Sequence, residues 1–201
     1  MKAPTDEELL LAAGRGDREA FALLVRRHHR AIIHFVHRFL ATADRATAED
    51  LAQQVFLSAW RYAPGFEPRA QVRTWLFRIA TNACLNYRRG QRSRPGAVPL
   101  TQAAEAPDAA DSNGVRPLLE QERARQVRLA VAALPPAQRA AIVLRYFHDF
   151  PVAQIAAVLG VSVSAAEALL HRGREGLYRR LGEAENAAGP QVSPRPRAEV
   201  I

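Results

Sequence analysis

The sequence is poor in several residue types, and each shortage closes off a class of answer. A single cysteine, Cys84, leaves no internal disulfide and no cysteine-rich zinc site, which suits a reducing, cytoplasmic compartment. One lysine, Lys2, leaves arginine to carry nearly all of the positive charge. No apolar run approaches the ~20 residues of a membrane span, and the opening MKAPTDEELL turns acidic where a secretory signal would turn apolar, so no membrane insertion is expected. There is no phosphate-cradling glycine loop, no serine elbow and no paired-acid signature. Neither a catalytic residue nor a cofactor is therefore expected, and the chain is not read as an enzyme. His28, His29, His34 and His37 crowd one segment. No cysteine or glutamate at companion spacing joins them, so they are read as surface histidines rather than metal ligands.

What remains is a chain of 201 residues with a net charge of +8. That charge points to a polyanionic partner or to a solvated basic surface. Abundant alanine and scarce β-branched runs favour an all-α fold. Thr5 followed by Asp6, Glu7 and Glu8 reads as a capped helix start with acids in its positive first turn. After Gly14 and Gly16, Asp17 caps a long amphipathic helix in which Phe21, Leu24, Val25, Ile32, Phe35, Val36 and Phe39 recur at three- and four-residue steps, to about Leu40. Thr47-Ala48-Glu49-Asp50 reads as a third capped start. From there Leu51, Val55, Ala59 and Trp60 face inward, and Asp50, Gln53, Gln54 and Phe56 face the other way.

Pro64, Gly65 and Pro68 form a loop carrying Phe66, ahead of a fourth helix from about Gln71 to Arg89. Arg61, Arg69, Arg73, Arg78, Arg88, Arg89, Arg92 and Arg94 stand in this stretch against one acid, Glu67. Phe66, Asn82, Asn86 and Tyr87 are interleaved with them. Basic residues can follow a nucleic-acid backbone while aromatics stack on unpaired bases; the plainer alternative is a solvated basic helix around core aromatics. Residues 92–116 then lose hydrophobic periodicity and read as a flexible linker. Helicity resumes near Leu118, breaks at Pro135-Pro136 and returns over Ala137–Phe147. From residue 183 the composition suggests a disordered tail.

The most informative stretch is Phe150 to Arg180. Val152, Ile155, Ala156 and Leu159 mark the buried side of a short helix, and Gly160 breaks it. Val161 and Val163 are expected to point inward from the turn, with Ser162 or Ser164 capping a second helix to about Leu181. Ala166, Leu169, Leu170, Gly173 and Leu177 form that helix's buried side. This is the pattern of a helix-turn-helix, whose second helix enters the DNA major groove. Ser164, His171, Arg172, Arg174, Arg179 and Arg180 are its candidate DNA contacts.

Three stretches resemble bacterial RNA polymerase sigma factors of the extracytoplasmic-function (ECF) type: Ala48–Phe66, Val72–Arg92 and Leu134–Leu177. The resemblance implies two helical domains, residues 5–91 and 117–182, joined by the linker. It implies that Asp50, Gln53, Gln54 and Phe56 meet the β′ clamp of core RNA polymerase, and that the β subunit is also contacted. It implies that Phe66, Arg73, Trp75, Arg78, Asn82, Asn86, Arg88 and Arg89 serve recognition and melting of the minus-ten element, and that the helix-turn-helix binds the minus-thirty-five element. An anti-sigma partner is also implied. Gln54, Glu167 and Leu169 depart from the family pattern, which usually has an acid at the first and often basic residues at the other two. A regulator acting alone on duplex DNA is the other reading; it has no use for the basic, aromatic fourth helix.

Overall fold

The computed structural model describes residues 3–41, 45–68, 71–92 and 118–187, which are helical with no strand among them. Helix α1 (Asp6–Gly14) opens on a reciprocal cap: Thr5 Oγ1 accepts from the Glu8 amide at 3.2 Å, and Glu8 Oε2 accepts from the Thr5 amide at 2.7 Å. Helix α2 (Arg18–Leu40) opens on Asp17, whose Oδ1 accepts from the Glu19 and Ala20 amides at 3.0 Å each. Helix α3 (Arg45–Tyr62) begins two residues ahead of the start expected at Thr47. An Arg45–Glu49 pair at 2.7 Å, four residues apart, supports the added turn. A 3-10 turn, Ala63–Gly65, leads on toward α4 (Val72–Arg92), at whose N-terminus Glu7 of α1 accepts from the Val72 amide at 3.5 Å.

The second half holds α5 (Leu118–Ala132), α6 (Pro136–Phe147), α7 (Val152–Leu159) and α8 (Val163–Ala187). Pro136 suits the first position of α6, where no amide is needed for an intrahelical bond. Between α7 and α8, Gly160 takes φ 66°, a left-handed geometry that costs glycine nothing. Val161 and Val163 are exposed, contrary to the inward orientation expected of them. The space beneath the turn is filled instead by Ile155, Ala156 and Ala166. Helix α8 continues past Leu181 to Ala187, so the expected tail does not start at 183. The rest of that tail, and the expected linker beyond Arg92, lie outside the described residues.

Close approach sets the seating of α8. A Cβ on Gly173 would stand 2.7 Å from Ile142 Cγ1, and one on Gly176 would stand 2.9 Å from Leu134 Cδ2. Helix α8 therefore lies against α6 with two glycines inward, which fixes the rotation of its outer face.

The two halves pack together and share one hydrophobic core. Phe35, Phe39 and Phe77 come from the first half; Ile142, Leu144 and Phe150 come from the second, and all are buried. Arg139, 1% exposed, spans the seam. Its Nη1 donates to the Phe39 carbonyl at 2.9 Å, and its Nη2 donates to the Leu134 carbonyl at 3.1 Å. Its guanidinium also lies 5.8 Å from the centre of the Phe39 ring. Replacing it strands two buried acceptors, each worth about 1–3 kcal/mol. Arg139→Ala is therefore expected to lower unfolding stability by about 2–5 kcal/mol, read by urea denaturation. A change below about 1 kcal/mol would show that the seam does not depend on it.

Candidate nucleic-acid and polymerase interface

Helix α3 turns Asp50, Gln53 and Gln54 to solvent. Phe56 does not join them: it is 6% exposed and its ring stacks on His29 at 6.1 Å. The reason is helical phase. Phe56 follows Ala52 by four residues and so falls on the buried alanine side of α3. Leu57, 52% exposed, takes the outward place beside Gln53. Gln53 and Leu57, with Arg18, Phe21, Phe56 and Trp60, line an open apolar groove. Leu57 escaped sequence reading because an apolar residue beside an apolar stripe gives no sign of which way it points.

On α4, Trp75, Arg78, Asn82, Asn86 and Arg89 fall within an arc of roughly 80° at 3.6 residues per turn, in line with Gln71 just ahead of the helix. Arg78, Asn82, Asn86 and Arg89 are exposed along it, and Trp75 is half-buried. Phe66 was expected on a presenting loop. It is 8% exposed instead, edge-on to Trp75 at 5.4 Å, so it buttresses the tryptophan rather than reaching outward. Arg88 lies about a third of a turn from the stripe and is half-buried. Arg73 lies on the opposite side and faces the second half of the chain. Its Nη2 donates to the His148 carbonyl, and its guanidinium sits 4.3 Å from the centre of the Phe150 ring.

The outer face of α8 carries Ser164, Glu167, His171, Arg172, Arg174, Glu175 and Arg179, all exposed. Ser162 is the cap, accepting from the Ala165 amide at 3.2 Å, with Ser164 Oγ 3.1 Å from Ser162 Oγ. His171 Nδ1 pairs with Glu175 at 3.4 Å. Arg180 turns back, donating to the Gly176 and Ala133 carbonyls at 3.2 and 3.4 Å. The histidines of α2 disperse: His28 bonds Asp6 at 2.6 Å, and His29 stacks on Phe56.

Two families match this arrangement in order. Sigma-70 region 2 covers residues 24–94, and sigma-70 region 4 covers residues 124–177. The chain is 37% identical over 180 residues to the ECF RNA polymerase sigma factor SigM of Mycobacterium tuberculosis, covering 89% of this chain and 85% of that one. It is 30% identical to the ECF sigma-E factor of Escherichia coli over 86% of this chain and 92% of the other. The chain belongs to the ECF sigma factors. Among solved structures it is similar to CnrH in complex with the cytosolic domain of CnrY, at 28% identity and a TM-score of 0.65 over 90% of this chain and 99% of that one. It also shares the fold of the sigma factor RpoE of Bartonella quintana, solved with the anti-sigma factor NepR, at a TM-score of 0.62 over 81% of this chain and 96% of that one.

As an ECF sigma factor the chain directs transcription initiation through regions 2 and 4 and is not an enzyme. Sigma factors bind RNA polymerase and promoter DNA. In this one, α4 of region 2 packs directly on α7 of region 4, where Gln154 Nε2 donates to Gln71 Oε1 at 3.1 Å. His148 sits inside the seam, edge-on to Phe77 at 4.9 Å and Phe35 at 5.9 Å. Burial, with Arg73, Arg38 and His34 nearby, holds its pKa down to about 4. The imidazole is thus buried neutral, while in the unfolded chain it takes a proton near 6.5. Stability is complete above pH 6.5 and declines as pH falls toward 4, with about 3 kcal/mol at stake. Denaturation at pH 7 and pH 4.5 should show this loss, and His148→Phe should shrink it. An unchanged pH slope in that variant would mean other groups carry the acid sensitivity.

Proposed function

We propose that this chain binds core polymerase chiefly through the outer face of α3, where Asp50, Gln53, Gln54 and Leu57 meet the β′ clamp, with region 4 reaching the β subunit. The observation that carries this reading is the groove beside Gln53 and Leu57, which offers an apolar seat flanked by polar groups and the Asp50 carboxylate. The stripe of Trp75, Arg78, Asn82, Asn86 and Arg89 then engages the minus-ten element. Its arginines suit phosphates, its amides suit base edges, and Trp75, held by Phe66, offers a stacking plane. Extruding a base costs a few kcal/mol, which such contacts offset. A protein with no catalytic group thereby opens DNA by binding the open strand better than the duplex. Ser164, His171, Arg172, Arg174 and Arg179 of α8 engage the minus-thirty-five element as duplex.

The two elements lie about 25 base pairs apart, roughly 85 Å of duplex at 3.4 Å per step. Regions in direct contact cannot span that distance. We infer that the packed arrangement is a resting form, that region 4 leaves region 2 on polymerase, and that Arg73 is then released toward DNA. The sigma factors RpoE of Bartonella quintana and CnrH were solved with a partner bound; a comparable anti-sigma protein is expected here, with this chain itself acting in the cytoplasm. Residues 5–91 and 117–182 are proposed as the two functional domains.

Gel filtration with sigma-free bacterial core polymerase tests the first contact. Co-elution is expected for the native chain, and Leu57→Asp combined with Asp50→Arg should weaken it at least tenfold. Undiminished binding would move the contact off α3. For the second contact, replacing Trp75 and Asn82 by Ala should abolish promoter-dependent transcripts while minus-thirty-five duplex binding persists; unchanged transcription removes the melting role from this stripe.

A further inference from the structure

Glu167 is the oddity of the α8 outer face. It is the fifth residue of the helix, exposed, and on the same side as Ser164 and His171. The other acid on this face, Glu175, pairs with His171. Among the described residues none pairs with Glu167. A lone carboxylate facing DNA is repelled by every phosphate it nears, so it has no place in a backbone contact. Residues early in a recognition helix, however, reach base edges rather than phosphates. The glycine-backed seating of α8 on Ile142 and Leu134 fixes which residues those are.

We propose that Glu167 is a specificity-determining residue that reads a cytosine in the minus-thirty-five element, a reading that rests on α8 being the helix that enters that duplex. The chemistry selects the base. A carboxylate only accepts hydrogen bonds, and the major groove offers it two amino donors, on cytosine and on adenine. Adenine places its N7 acceptor beside its amine, where it opposes a carboxylate; cytosine places no acceptor beside its own. Guanine and thymine present acceptors at the matching positions and are rejected. Arg172, Arg174 and Arg179 lie further along the helix and hold the flanking phosphates, so the cost of one acid is confined to the base it meets.

The test is holoenzyme reconstituted with bacterial core polymerase, transcribing a promoter library randomised across the minus-thirty-five region. The native chain should favour cytosine at one position by roughly five- to a hundredfold. Glu167→Gln should move that preference to adenine, since an amide pairs with both N6 and N7. Glu167→Ala should flatten the same position and leave the others unchanged. Helical content and melting of both variants are expected to match the native chain, because the side chain is exposed. If both variants raise output from all promoters evenly, Glu167 is a repulsive surface charge and the proposal fails while the reading of α8 stands. If the native holoenzyme has no preference anywhere in this region, the reading of α8 fails with it.

Discussion

The buried guanidinium of Arg139 is the interaction on which the arrangement depends. A buried charge of that size costs free energy that hydrogen bonds must offset; here two acceptors come from the two halves, the Phe39 carbonyl near the end of α2 and the Leu134 carbonyl just ahead of α6, while Nε meets no acceptor among the described residues. The same residue thus stabilises α6 and ties it to α2. Around it the seam is aromatic, with Phe35, Phe77, His148 and Phe150 in edge-on and tilted ring contacts. Arg73 adds a second guanidinium at the opposite side of this cluster. Both arginines meet backbone carbonyls rather than carboxylates, so the seam holds charge without pairing it.

That choice of partner bears on how readily the halves part. Carbonyl acceptors and ring faces can be exchanged for water or phosphate at modest net cost, because each bond contributes only about 1 kcal/mol once solvent competition is counted. An Arg–carboxylate pair would also leave a naked acid behind on opening. Here the departing surface is basic and apolar, a surface suited to a polyanion. The positive balance of the whole chain works in the same direction: the arginines that opening releases attract DNA.

Much of this was legible in the sequence because it is local. Capped starts at Thr5 and Asp17, glycine at the α7–α8 turn and the small inward residues of α8 each announce themselves within a few positions. Trp75, Arg78, Asn82, Asn86 and Arg89 were named through the family resemblance, and helical periodicity adds that they fall along one side of α4. The misplacements were of two kinds. Phe56 takes the side opposite to the one expected of it because alanines at 48, 52 and 59 share the buried side of α3, and alanine carries too little hydrophobic contrast to mark a side. Arg73 and Arg139 could not be placed because their partners are distant in sequence, whereas Phe66 turns in on nearby Trp75, a ring contact that helical periodicity does not announce. An arginine in the first turn of an amphipathic helix looks solvent-facing until Phe39, 100 residues away, is brought to it.

The packed form also sets a condition on affinity. If only a fraction of the chain is open, binding to any partner that needs the open form is weakened by that fraction, tenfold for each 1.4 kcal/mol favouring closure. A partner that binds the packed halves meets no such penalty and keeps nearly its full intrinsic affinity. Polymerase with promoter and a closed-form inhibitor then compete through one equilibrium, with no need to contact the same residues. The seam is therefore where small changes carry furthest: a substitution at Phe77 or Phe150 that touches neither DNA nor polymerase alters affinity for both, in opposite senses for an opener and a closer. Such opposite shifts cannot arise from a general loss of stability, which weakens every partner together.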